Sequence, residues 1–126
     1  MNTYKNLVFT LFAAMLLLAS CSDEKKADEK NTPILVKGLY SYGPEIKSFT
    51  DCIDSKEYWV ADSAKTLELA YSNLGFEKPY TPVYIEAECR FVKSDTGTVN
   101  GDYDSTMVVT KLIKISREIP EGPCSQ

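Results

Sequence analysis

The chain has 126 residues, with 14 lysine and arginine side chains against 18 aspartate and glutamate, a formal net charge of −4 and no histidine. That length supports one small core and no second one. An acidic surface lacks the positive field that nucleic acid requires, and without histidine the commonest metal ligand and the usual general base near neutral pH are gone. No nucleic acid, cofactor or metal is expected.

Lys5 precedes an apolar run over residues 7–18, which closes in Leu18-Ala19-Ser20-Cys21. The run is long enough to engage secretion machinery but short of the roughly 20 residues that cross a bilayer. This arrangement resembles the lipobox of a bacterial lipoprotein. The resemblance implies a signal peptide over residues 1–20, diacylglycerol on the Cys21 thiol, cleavage before it and acylation of the new amino group. Two or more chains hold a protein durably on membrane lipid, at about 0.8 kcal/mol per buried CH₂. Ser22 in place of aspartate after Cys21 fits sorting to the outer membrane, facing the periplasm or the cell surface. Residues 21–33 are then the lipidated end and tether. Ala27 is the only apolar residue over positions 22–32, too little to offset the entropy of ordering.

Residues 34–126 read as the folded domain. Residues 34–42 are rich in apolar, aromatic and β-branched side chains and form a long first strand that bends or bulges at Gly38. Gly43-Pro44 is a turn signal. Residues 46–52 make a second strand with Ile46, Phe49 and Cys52 as apolar positions, and the Asp54-Ser55-Lys56 turn leads into a third over residues 57–61. Asp62 or Ser63 caps a helix over residues 64–74, where Ala64, Leu67, Ala70, Tyr71 and Leu74 share an apolar stripe. Glu68 and Ser72 fall on its solvated side, and Gly75 ends it in a left-handed conformation. Pro79 and Pro82 stiffen the linker that follows. Val83, Ile85, Ala87, Cys89 and Phe91 then alternate with Tyr84, Glu86, Glu88 and Arg90, the period of a half-buried strand. Residues 94–103 are an exposed polar loop. Residues 106–119 supply the last strand, with a kink or bulge near Lys111. Three strands, a helix and two strands is the element order of an OB fold: a mainly β, small five-stranded barrel with one α-helix between strands three and four.

With Cys21 lipidated, three cysteines remain, and in an oxidising compartment an odd number implies one disulfide and one thiol. Cys89 shares the inward face with Ile85 and Phe91, where a thiol behaves as a small hydrophobe. Cys124 lies in a tail that would fray unless fastened. Both points favour a Cys52–Cys124 bond with Cys89 as a buried free thiol; Cys52–Cys89 is the alternative. No Cys-x-x-Cys is present. Glu86 and Glu88 are about 7 Å apart along one strand face, which adjacent exposed positions explain without catalysis. Asp95, Asn100, Asp102 and Asp104 lack the glycine and glutamate register of an EF-hand loop. Tyr40, Tyr42, Tyr58, Trp59, Tyr80 and Tyr84 offer packing bulk and an exposed aromatic strip. Tyr42, Tyr84 and Asp102 are the candidate partner contacts, with loops at 43–47 and 94–104, and their substitution is expected to leave stability nearly intact.

Gly38-Leu39-Tyr40-Ser41-Tyr42-Gly43, Ser48-Phe49-Thr50-Asp51-Cys52, Leu67-Glu68-Leu69-Ala70-Tyr71, residues 82–89 and the terminal Gly122-Pro123-Cys124 resemble the C-terminal OB domain of the NlpE lipoprotein family. The resemblance covers about residues 35–124. It implies a disulfide at the matching cysteines Cys52 and Cys124, and it makes the Cys89 thiol a local variation at a position where relatives often carry glycine. The family is associated with envelope-stress sensing, surface contact and copper homeostasis. Its full-length members carry a further barrel with Cys-x-x-Cys, a motif this sequence lacks, so copper chemistry is not implied here. The expected function is a non-enzymatic, lipid-anchored envelope module that binds an envelope protein, with a role in stress or surface sensing. The alternative is a lipoprotein that binds a small molecule, a glycan or a metal.

Overall fold

The computed structural model describes residues 32–125. The signal peptide, Cys21 and most of the tether read from the sequence lie outside the described residues. Five strands follow in order: β1 (Ile34–Tyr42), β2 (Lys47–Asp51), β3 (Glu57–Ala61), β4 (Val83–Lys93) and β5 (Ser105–Ser116), with helix α1 (Thr66–Asn73) between β3 and β4. They close as a barrel in the order β1-β2-β3-β5-β4. All pairings are antiparallel except β3 with β5, which run parallel through Trp59↔Thr106, Val60↔Met107 and Ala61↔Val108. This is the five-stranded OB-like barrel, with one α-helix between its third and fourth strands, where the element order placed it.

The alternation along β4 fills the barrel: Val83, Ile85, Ala87 and Cys89 are wholly buried, together with Tyr40, Phe49, Val60 and Met107. β1 reaches both neighbours because Gly38 has no Cβ. Any Cβ there would run into the Phe49 ring and the Thr50 carbonyl oxygen across the β1–β2 ladder. The bend expected near Lys111 appears as two register shifts between β4 and β5. They leave Thr110 and Ile113 without a partner opposite them, and the Thr110 hydroxyl bonds back to the Glu88 carbonyl at 3.0 Å. Such bulges add the twist a small barrel needs to close.

Helix α1 is shorter than the sequence pattern suggested and begins differently. Ala64 is exposed and lies outside it. The residue at the N-cap is Lys65, in a left-handed conformation with no side-chain cap of its own. Asp62 does the capping chemistry from three residues further back: its buried carboxylate accepts a bond from the Glu68 N–H at 2.9 Å. Leu67 and Tyr71 then turn into the core, and the Gly75 N–H bonds the Ser72 carbonyl with φ at +67°. Asp62→Ala is expected to lower stability by about 1–2 kcal/mol, read as a lower thermal midpoint, because a free helix N–H is left in a dry site.

Candidate functional site

The Cys52–Cys124 disulfide, with Cα atoms 4.7 Å apart, fastens the C-terminal tail to the end of β2. The tail's path leaves a groove of about 310 Å³ beside the bond, walled by Leu35 and Lys37 of β1, Ile53, Tyr84, Pro120 and Pro123. Ile53 is 88 % exposed and Leu35 56 %. Neither is used by the core, so the groove offers apolar side chains directly to solvent. Its charges are Lys37, which faces Glu86 across the β1–β4 ladder at 3.9 Å, and the acids Asp51 and Glu121 on the rim.

A second groove, about 450 Å³, lies where the β1–β2 hairpin meets the end of α1. Tyr42, Tyr71 and Phe76 form its aromatic wall, with ring centroids 5.6 Å apart for Tyr42–Tyr71 and 5.5 Å for Tyr71–Phe76. The hairpin loop is held rigidly. Gly43 presses on the Tyr80 ring, the Tyr80 N–H donates to the Tyr42 carbonyl at 2.9 Å, and the Tyr80 hydroxyl accepts from the Glu45 N–H at 3.1 Å.

The three candidate contact residues do not converge. Asp102 is exposed at the end of a single 3₁₀ turn (Val99–Asp102) and lines neither groove. That turn is pinned from beneath by the Asn100 amide donating to Thr106 at 3.2 Å and by a 2.8 Å hydrogen bond between the Ser94 and Thr106 hydroxyls. Tyr42 is half-buried, packed between Tyr40 and Tyr71 with the Lys47 ammonium 5.7 Å from its ring centroid. Tyr84 is the clear correction: it points out of the barrel as the alternation requires, yet only 6 % of it is exposed. Lys114 covers one side at 5.9 Å, the hydroxyl donates to Glu86 at 2.8 Å, and burial followed by that carboxylate pushes its pKa up to about 12. Substituting Tyr42 or Tyr84 will therefore cost stability, and the exposed aromatic strip is absent: Tyr40 and Tyr84 are buried, Tyr42, Tyr58 and Trp59 are half-buried, and Tyr80 alone of the set is more open. Sequence reasoning passed over Ile53, although an isoleucine inside the Asp51–Ser55 turn had nowhere to go but outward.

Glu68, expected on the solvated side of the helix, is held by Lys47 at 2.5 Å with only 12 % of its side chain exposed. Burial alone would raise its carboxyl. The hydrogen bonds from Lys47 and Lys65 outweigh burial and hold it below its ordinary 4.5, and the same bond raises the Lys47 ammonium above 10.5. A depressed carboxyl contributes stability that is full above its unfolded value and is lost as pH falls through the folded one. The raised ammonium contributes fully below its unfolded value and is lost as pH rises through the folded one. The unfolding midpoint should thus decline on acidification below about pH 4.5, and Lys47→Met should flatten that decline. An unchanged acid limb in the variant would remove the pair from the account.

Cys89 is the free thiol among the described residues, wholly buried, with its pKa pushed up to about 11 by burial and then by Asp51. Native protein at pH 8 should leave the Cys89 peptide unalkylated in a mass map, and denaturant should expose it. Labelling in the folded state would contradict this burial. No group of three cysteine, aspartate or glutamate side chains suited to a metal occurs among the described residues.

The model of the NlpE C-terminal OB domain family matches residues 30–123. The chain belongs to that family. Among solved structures it is similar to the Cpx pathway activator NlpE from Escherichia coli, at 26 % identity and a TM-score of 0.54. The similarity covers 68 % of this chain and 41 % of that one, so the chain spans well under half the length of the relative it matches. A search of curated proteins finds no match. The NlpE-type barrel and the apolar groove at its disulfide are the features from which a function has to be built.

Proposed function

We propose that this protein is a non-enzymatic module of the bacterial envelope, anchored in outer-membrane lipid through an acylated Cys21, that binds another envelope protein and takes part in sensing stress or surface contact. The observation that carries the reading is the disulfide-side groove, where Leu35, Ile53 and two prolines give an open apolar lining that suits contact with a macromolecule rather than bond-making. Family membership supports the envelope setting, and the solved relative is named as an activator of a pathway, an output that needs a protein partner.

Crosslinking in intact cells tests it. A specific protein should be captured by the wild type and lost with Ile53→Asp, whose side chain is too exposed to matter for folding, while Glu118→Lys keeps capture. No captured protein, or equal capture by Ile53→Asp, would defeat the reading. The second groove favours an alternative ligand class, because Tyr42, Tyr71 and Phe76 form a surface on which a small ring or sugar can stack. A saturable response to a small molecule, lost with Phe76→Ala, would support that alternative.

A further inference from the structure

β1 is longer than the strand beside it. It pairs with β4 from Ile34 to Tyr40, but its ladder to β2 begins only at Gly38↔Asp51. Beyond Asp51 the chain leaves the sheet in a tight turn: the Ile53 N–H donates to the Asp51 carboxylate at 2.7 Å, and the Ser55 N–H to the Asp51 carbonyl at 3.0 Å. The last bond across this edge is the Cys52 N–H to the Lys37 carbonyl, at 3.3 Å. In a strand, residues two apart turn their backbone groups the same way. The N–H and C=O of Leu35 therefore face the side that β2 has vacated, and among the described residues no strand pairs with them there. This open edge is the rim of the disulfide-side groove, with the exposed side chains of Leu35 and Ile53 on either flank.

From this juxtaposition we infer that residues 34–37 are a docking edge for an extended segment of a partner protein, added antiparallel to β1 where β2 would otherwise have continued. This rests on the protein-binding reading above and specifies its geometry. The backbone of the incoming segment bonds Leu35, and its alternate side chains enter the groove against Leu35, Ile53 and the tail prolines. Charge selects the flanks: Asp51 and Glu121 are acidic, while Lys37 already faces Glu86, so the segment carries an apolar centre with a basic end. β5 also runs past its last pairing with β3 at Val108, but none of its residues lines the disulfide-side groove, so the edge of β1 is the one that an apolar groove accompanies.

The test uses the mature lipidated chain in detergent micelles and fluorescence anisotropy of a labelled, end-blocked pentapeptide of three valines flanked by lysines. A second probe carries N-methyl groups at alternate peptide nitrogens, which removes strand bonding and keeps every side chain. The wild-type chain should bind the first probe at least about tenfold more tightly than the second. Leu35→Pro, which deletes an N–H that β4 does not use, should lose the preference while keeping its unfolding midpoint. Equal binding of both probes, or a preference for the first that survives Leu35→Pro, overturns strand addition. So does a dimer of this chain that the first probe dissociates, because the edge then belongs to a second copy. If neither probe binds but cellular capture still depends on Ile53, strand addition alone fails; if capture is absent as well, the protein-binding reading fails with it.

Discussion

Replacing both Cys52 and Cys124 with serine lowers the unfolding free energy by about 4 kcal/mol, the loop-closure value for a bond spanning 72 residues. That is a large share of the roughly 5–15 kcal/mol by which small domains are stable. The loss acts mainly on the unfolded chain, which regains the freedom the bond removed. A second effect is local: once released, the tail stops walling the groove that Tyr84 also lines. Urea unfolding measures the first effect as a lower midpoint, and the fluorescence of the tyrosines follows the second. Cys89→Ala is the control, since it changes a buried side chain without touching the bond, and it should cost about 1 kcal/mol. A double-serine variant as stable as the control would show that the bond does not restrain the chain in this way.

Gly38→Ala is the second large effect. Alanine adds one methyl group, and that methyl meets the Phe49 ring and the Thr50 carbonyl oxygen. Phe49 is wholly buried, and Thr50 is paired with Leu39 in the ladder, so neither yields without opening the barrel. We expect a loss of about 3 kcal/mol, at the upper end of the usual cost of overpacking, and a thermal midpoint lower by more than about 10 °C. Gly97→Ala is the comparison: nothing stands within 4 Å of a Cβ there, and its φ of +91° leaves only the intrinsic cost of a left-handed residue. A Gly38→Ala protein that melts with the wild type would mean that β1 and β2 move apart more easily than their register suggests.

The barrel was readable because its signals are local. β1 and β3 have the bounds that composition gave them, and the four inward residues of β4 from Val83 to Cys89 obey simple alternation. The helix start was not readable. Asp62 reaches over a left-handed Lys65 to the Glu68 N–H, and no propensity marks a lysine for that conformation. Glu68 was misplaced because its partner Lys47 sits 21 residues earlier, on another element. Tyr84 shows a different limit: alternation tells which way a side chain points, but not what lies on top of it. Here the cover comes from Lys114 on β5, and the hydroxyl is tied to Glu86. The groove is tertiary in the same sense, since Leu35, Ile53 and Pro120 are far apart in the chain and only closure of the ring assembles them.

The parallel seam between β3 and β5 also governs how the molecule comes into being. Residues 57–61 must wait for residues 106–108 before their outer flank is satisfied, and every contact across that seam joins distant parts of the chain. A chain emerging N-terminus first presents an unfinished three-stranded ribbon through the synthesis of α1 and β4. Folding is then slow to nucleate and becomes cooperative only when the last strand arrives. Truncation before Ser116 should yield an aggregation-prone fragment instead of a smaller domain.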